Sequence, residues 1–246
     1  MNEIFKPHEE CAHPRTVLIE GEPGKGKTTF CNKYSYEWAK KEQGAENPFF
    51  PNFGLVLLLQ CRQIRSYVWE ATDGQLLPRS KEEKAEEILK SVLWDAIDAQ
   101  LLPQHVTRED KEGFFEFIRH NQRDILLVLD GLDELPANML AVFTKVIEGR
   151  MLPKCHIVVT ARQEVGMEVR ECCDSLLEIE GFTKDDAREF IVKYFKENAH
   201  LADTLLVKLT LDENLRQLTE SPLNTVLLCL LWEDFNGIFP ESGTQL

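Results

Sequence analysis

The stretch GEPGKGKTTF, residues 21–30, brings together the residue types needed to hold phosphate. Gly21, Glu22, Pro23, Gly24, Lys25, Gly26, Lys27 and Thr28 fit the pattern G-x-x-x-x-G-K-[ST]. Glycines let a backbone turn so that several N–H groups converge on one anion. Lys27 would reach the outer phosphate oxygens, and the Thr28 hydroxyl would ligate Mg²⁺. Thr29 continues the run into a segment of helix formers, whose first N–H groups and dipole favour an anion. The pattern also occurs as a plain glycine turn. Its place between an apolar strand and a helix is what points to a nucleotide.

The second candidate is the acid cluster in DILLVLDGLDEL, residues 124–135. Asp130 ends a run of bulky apolar residues, where a Mg²⁺ carboxylate opposite Thr28 belongs. Asp133 and Glu134 follow within one turn. Neighbouring carboxylates repel, so three of them beside an apolar strand favour a nearby cation. Glu134 is the candidate for polarising an attacking water, with Asp133 beside it. An ordinary acidic loop is the competing reading. In VVTARQ, residues 158–163, Thr160 and Arg162 stand at the end of another apolar run. Arg162 is placed either to touch a γ-phosphate or to pair with the nearby acids.

These residues need strands that deliver them to one edge. TVLIE (16–20), GLVLLLQC (54–61), the run to Asp130, CHIVVTAR (155–162) and SLLEIEGF (175–182) read as five strands. The continuous apolar runs indicate a sheet covered on both faces. Helices are expected from Thr28 to Lys40 and over 82–102, 109–120 and 137–149, with a loop over 41–53. In 82–102, Ile88, Leu89, Val92, Leu93, Ala96, Ile97 and Leu101 recur at spacings of three and four. Beyond 182 the reading is all helical: the segment from Thr183, then 201–210, 212–219 and 222–235. Strand–helix alternation followed by helices alone implies an open, mainly parallel sheet in an α/β unit, then a small helical domain.

The chain is 246 residues long and carries a formal net charge of −14, which disfavours general nucleic-acid binding. Its seven cysteines include no C-x-x-C pair, so free thiols in a reducing, cytoplasmic setting are expected. The N-terminus has no apolar leader pattern, and no apolar run is long enough for a membrane span. Both ends read as cuts within a longer protein.

Taken in order, GEPGKGKTTF, LLLQCRQI, ILLVLDGLDEL, VVTAR, GFTKDDAREFIVKYF and SPLNTVLLCLL resemble the NACHT domain of NOD-like receptors. The resemblance implies a P-loop NTPase fold binding ATP/ADP and Mg²⁺, with residues 1–182 as the nucleotide-binding domain and 183–246 as part of a helical domain. It implies that Lys27, Thr28 and Asp130 hold phosphate and metal, that Asp133 and Glu134 are the additional acids, and that Arg162 is a sensor. It also implies that Pro222 packs on the adenine and that Arg15 and Thr16 lie beside the base and ribose. The family often has proline after the sensor arginine, where this chain has Gln163. Expected by the same route are a nucleotide-dependent signalling switch with slow hydrolysis, self-association, and flanking winged-helix, effector and sensor domains. A non-hydrolysing scaffold remains open, as does a GTPase. TKDD at 183–186 matches the guanine-reading pattern [NT]KxD, but Thr183 also suits a helix cap, and Asp130 is not followed by D-x-x-G spacing.

Overall fold

The computed structural model describes residues 2–42, 52–64, 80–101 and 108–238. Its contacts divide the chain into two compact units. One comprises Met1–Glu20 with Lys27–Glu178, the other Gly21–Gly26 with Ile179–Leu246.

The first unit is built on a five-stranded sheet. Its strands are β1 (Thr16–Glu20), β2 (Leu55–Gln60), β3 (Ile125–Asp130), β4 (His156–Ala161) and β5 (Ser175–Glu178), in the order β2-β3-β4-β1-β5. Every pairing is parallel, so all carboxyl ends share one edge. The register sets Gln60 beside Asp130 and Ala161 beside Glu20 at that edge.

Parallel strands need crossovers, which here are α1 (Lys27–Glu42), α2 (Lys81–Leu101), α3 (Arg108–His120), α4 (Ala137–Ile147) and α5 (Gln163–Val169). One sheet face carries Leu57, Leu59, Leu127, Leu129, Ile157 and Val159, which pack in one core with residues of α2, α3 and α4. The alternate residues Val56, Leu126, Val128 and Val158 are buried as well, and α1 packs against β2, β3 and β4 with Cys31 and Tyr34 buried. A sheet covered on both faces is why these strands are apolar without alternation. β5 is the exception. It is an edge strand whose Leu176 and Leu177 are exposed, and it ends at Glu178 rather than 182. The loop expected over 41–53 falls mainly on residues 43–51, outside the described ones.

The second unit packs α6 (Lys184–Tyr194), α7 (Ala199–Leu211), α8 (Glu213–Leu218) and α9 (Pro222–Asp234). Its core holds Ile191, Phe195, Leu205, Leu209, Cys229 and Trp232. Local chemistry fixes the helix starts. Thr183 and Asp186 form a reciprocal capping box on α6, and Ser221 caps α9 with Pro222 in its first turn. Asp186 is thereby engaged by Thr183, so the helix-cap role is the one seen for Thr183 in TKDD.

Candidate functional site

At the carboxyl edge of the sheet, β3 and β4 place Asp130, Thr160 and Arg162 where α1 begins. The Thr28 hydroxyl donates to Asp130 Oδ1 at 3.2 Å, and the Thr160 hydroxyl donates to the same oxygen at 3.1 Å. Thr160 Oγ1 in turn accepts the Gly131 N–H at 2.9 Å. Asp130 is buried, at 5% exposure, so its charge is held by oriented hydroxyls rather than by bulk water. The chain then turns through Gly131, whose φ of 81° lies in the left-handed region, into a short 3₁₀ turn over Leu132–Glu134. That turn sets Asp133 partly buried and Glu134 exposed.

Asp133 and Arg162 face each other. Arg162 Nε lies 3.0 Å from Asp133 Oδ2, and the Arg162 backbone N–H donates to Oδ1 at 3.1 Å. Of the two readings offered by sequence, the pairing with a nearby acid is the one seen in this structure. Lys27, half-buried at the start of α1, belongs to the same cluster. Desolvation lowers its pKa below the ordinary lysine value. Arg162 adds to the lowering, while Asp133, Asp130 and Glu134 oppose it. Burial also pushes the Cys31 and Cys61 thiols up, with the charge of Asp130 adding to both. Burial therefore disfavours the thiolate form of both, although they lie close to the acids.

In the second unit, the glycine loop Gly21–Gly26 lies against the start of α9. Gly24 O accepts the Leu223 N–H at 3.3 Å and the Ser221 hydroxyl at 3.2 Å. Gly24 and Gly26 have φ of 76° and 109°, conformations that a side chain would strain. A Cβ on Gly24 would meet Ser221 Oγ at 2.8 Å. Glu22, Pro23 and Lys25 line an open pocket with Asn214, Gln217 and Asn224 of the helical bundle. Pro222 stands next to Ser221, in the same unit as this loop.

Arg15 and Thr16 are not brought to the carboxyl edge. They stand at the opposite end of β1, where both backbone N–H groups donate to Asp174 Oδ2 at 2.8 Å. The Arg15 guanidinium donates to Ile147 O at 2.7 Å and Cys155 O at 3.2 Å. The length of β1, five residues at about 3.3 Å each, lies between Arg15 and the edge that carries the acids. Thr29 is exposed on α1, one position past Thr28.

Sequence reasoning passed over three residues, two in the first unit and one in the second. Glu20 is a buried acid ending β1; the signal was a carboxylate closing the apolar run TVLIE. Arg170, just after α5, pairs with it and had no local signal. Ser221, bonded to Gly24 O, was visible only as a serine before proline.

The donor set fits a phosphate with a hard divalent cation. In the first unit it offers a lysine, a hydroxyl and a buried carboxylate, all suited to oxygen-rich ligands. Among the described residues, no three His, Cys, Asp or Glu side chains group as an all-protein metal site. Among the same residues, no helix is long and apolar enough to cross a membrane.

The family model described as NACHT domain matches residues 15–198. The chain is 26% identical over 215 residues to NLR family CARD domain-containing protein 4 of Xenopus tropicalis, covering 87% of this chain and 18% of that protein. It is 24% identical to the NACHT, LRR and PYD domains-containing protein 1 homolog of Danio rerio, over 99% of this chain and 17% of that one. It is 23% identical to human Protein NLRC5, over 88% and 10% respectively. The chain thus spans less than a fifth of the length of these relatives. Among solved structures, a chain of Drosophila ORC bound to DNA superposes with a TM-score of 0.56 at 12% identity, over 90% of this chain and 50% of that one. At that identity the likeness is one of fold, an α/β P-loop fold.

Proposed function

Because this chain belongs to the NACHT domain family, we propose that it is an ATP/ADP-binding switch of a longer signalling protein, with Mg²⁺ as its metal. What carries the reading is the cluster at the carboxyl edge. One buried carboxylate, Asp130, gathers the Thr28 and Thr160 hydroxyls, with Lys27 and the Asp133–Arg162 pair beside it.

Lys27 and the loop Gly21–Gly26 hold phosphate, and Thr28 with Asp130 holds the metal. Bound Mg-ATP supplies a transferable γ-phosphoryl group and the charge that ADP lacks. Arg162 leaves Asp133 for that charge and returns when it is gone. Glu134, exposed beside the site, takes the proton of an attacking water on its carboxylate. Moving a two-state switch from 1:99 to 99:1 needs about 5.5 kcal/mol of differential binding. Two or three charge-assisted hydrogen bonds, at about 1.5–3 kcal/mol each, are enough. No arginine finger is identified among the described residues, so turnover by the isolated chain is slow.

Pro222 packs on the base in this reading. The parent protein carries winged-helix, effector and sensor domains, works in the cytoplasm in innate immune signalling, and self-associates in its ATP form. It has no role in nucleic-acid binding. The Danio rerio relative, a NACHT, LRR and PYD domains-containing protein 1 homolog, supports the longer architecture.

The test is to purify the chain, release bound nucleotide with acid and identify it by chromatography, with Lys27→Ala alongside. ADP in the wild type and none in the variant supports the switch. Guanine nucleotide overturns the adenine reading, and a wild type that neither carries nor takes up ADP or ATP overturns the switch. Glu134→Gln separates an ATPase from a scaffold: it stops hydrolysis in the first and changes nothing in the second.

A further inference from the structure

Helix α5 starts immediately after Arg162, and its two ends are tied to two different strands. At its start, the Arg162 backbone and guanidinium both bond to Asp133, just past β3. At its far end, Arg170 lies in the 3₁₀ turn that follows the helix and pairs with Glu20 Oε2, the last residue of β1. Glu20 is no surface acid, since it is only 4% exposed. Its other oxygen, Oε1, has no hydrogen-bond donor among the described residues. Arg170 is the cation paired with it.

Gly166 makes the room for this carboxylate. A Cβ there would overlap Glu20 Oε1 and lie 2.9 Å from Cδ, so α5 presents bare backbone to the acid. A buried ion pair is weak evidence for stability, because an apolar pair of similar volume is often as stable or more so. What such a pair does supply is geometry, since a guanidinium meets a carboxylate in few orientations. α5 has only seven residues, so holding its far end also constrains its first residue and the arginine that precedes it.

We propose that Glu20 and Arg170 form a positioning pair for Arg162. They fix the far end of α5 to β1, so that the Arg162 guanidinium remains within reach of a γ-phosphate once it leaves Asp133. The inference rests on the switch reading above. It predicts a specific defect: discrimination of ATP from ADP suffers while ADP binding does not, because ADP has nothing for Arg162 to hold.

The experiment titrates the chain with ADP and with a non-hydrolysable ATP analogue by calorimetry, and records melting temperatures. The variants are Glu20→Gln, Arg170→Gln and Arg170→Lys. Both glutamine variants are expected to lower the ATP-over-ADP affinity ratio by about tenfold, the scale of one lost charge-assisted hydrogen bond, with ADP affinity unchanged. Arg170→Lys restores part of the ratio. Should Glu20→Gln fail to fold, Arg170→Gln, at a side chain 44% exposed, still reads the ratio. An unchanged ratio, or equal losses for both nucleotides tracking the melting temperature, overturns the inference alone. A wild type that binds neither nucleotide overturns the switch reading and this inference with it.

Discussion

The Thr28 hydroxyl and the Asp130 carboxylate meet at 3.2 Å, although 102 positions separate them in the chain. Asp130 Oδ1 also accepts from Thr160, so one buried oxygen organises residues from α1, β3 and β4. An amide in place of this carboxylate keeps the shape but loses the charge that attracts a cation. Asp130→Asn is therefore expected to abolish the Mg²⁺ dependence of ATP binding. It costs about 1–3 kcal/mol of stability if a buried polar group is left unpaired. ATP titrations with and without Mg²⁺, together with urea unfolding, check both parts.

Arg162 is a half-exposed side chain paired with an acid, so its pairing contributes little to stability, about 0–1 kcal/mol. Arg162→Ala should leave the melting temperature nearly unchanged and ADP affinity intact. The ATP analogue should bind about tenfold more weakly, the scale of one charge-assisted contact. Equal losses for the two nucleotides would count against a sensor role.

Lys27 makes a pH-dependent prediction whose sign follows from its lowered pKa. Between that lowered value and the ordinary 10.5, the unfolded chain holds the proton that the folded one has released. Stability therefore rises with pH through that window. Phosphate binding favours the charged lysine and must take up the proton there, so ADP affinity falls over the same window. Chemical denaturation of wild type and Lys27→Met tests the first sign, since the rise should vanish in the variant. Calorimetric ADP titrations at stepped pH test the second.

Gly24 sits at φ 76° with Ser221 Oγ directly over its missing side chain. Gly24→Ala should cost about 1–2 kcal/mol from the left-handed backbone alone, and more if Ser221 is displaced from the Gly24 carbonyl. Gly26→Ala, with φ 109° and open space around the new Cβ, separates backbone strain from the clash. Unfolding curves for the two variants should differ, with Gly24→Ala the less stable.

Much of this was legible in the sequence because it is written in local, contiguous residues. The phosphate loop is eight consecutive positions, and the acids Asp130, Asp133 and Glu134 fall within five. Strands β1 to β4 announce themselves as apolar runs because burial on both faces removes any need for alternation. The capping box at Thr183 and Asp186 is likewise a signal four residues wide. β5 was the weakest of these expectations in its extent. Its run continues past Glu178 in the sequence, yet Gly181 turns the chain at φ 97° and Phe182 N–H bonds to Glu220 O in the helical unit.

The sequence by itself determined the element types, the order of the motifs and the chemical character of the site, since each depends on neighbours a few positions apart. Only the tertiary structure decided which distant groups meet. It assigned Arg162 to Asp133, set Thr160 on Asp130, and put Arg15 at the far end of β1 with Asp174 and the carbonyls of Ile147 and Cys155. It also buried Glu20 against the bare backbone of Gly166 and gave it Arg170, 150 positions away. Parallel strands joined by long crossovers bring such residues together through register, and register is a property of the whole sheet rather than of any stretch of chain.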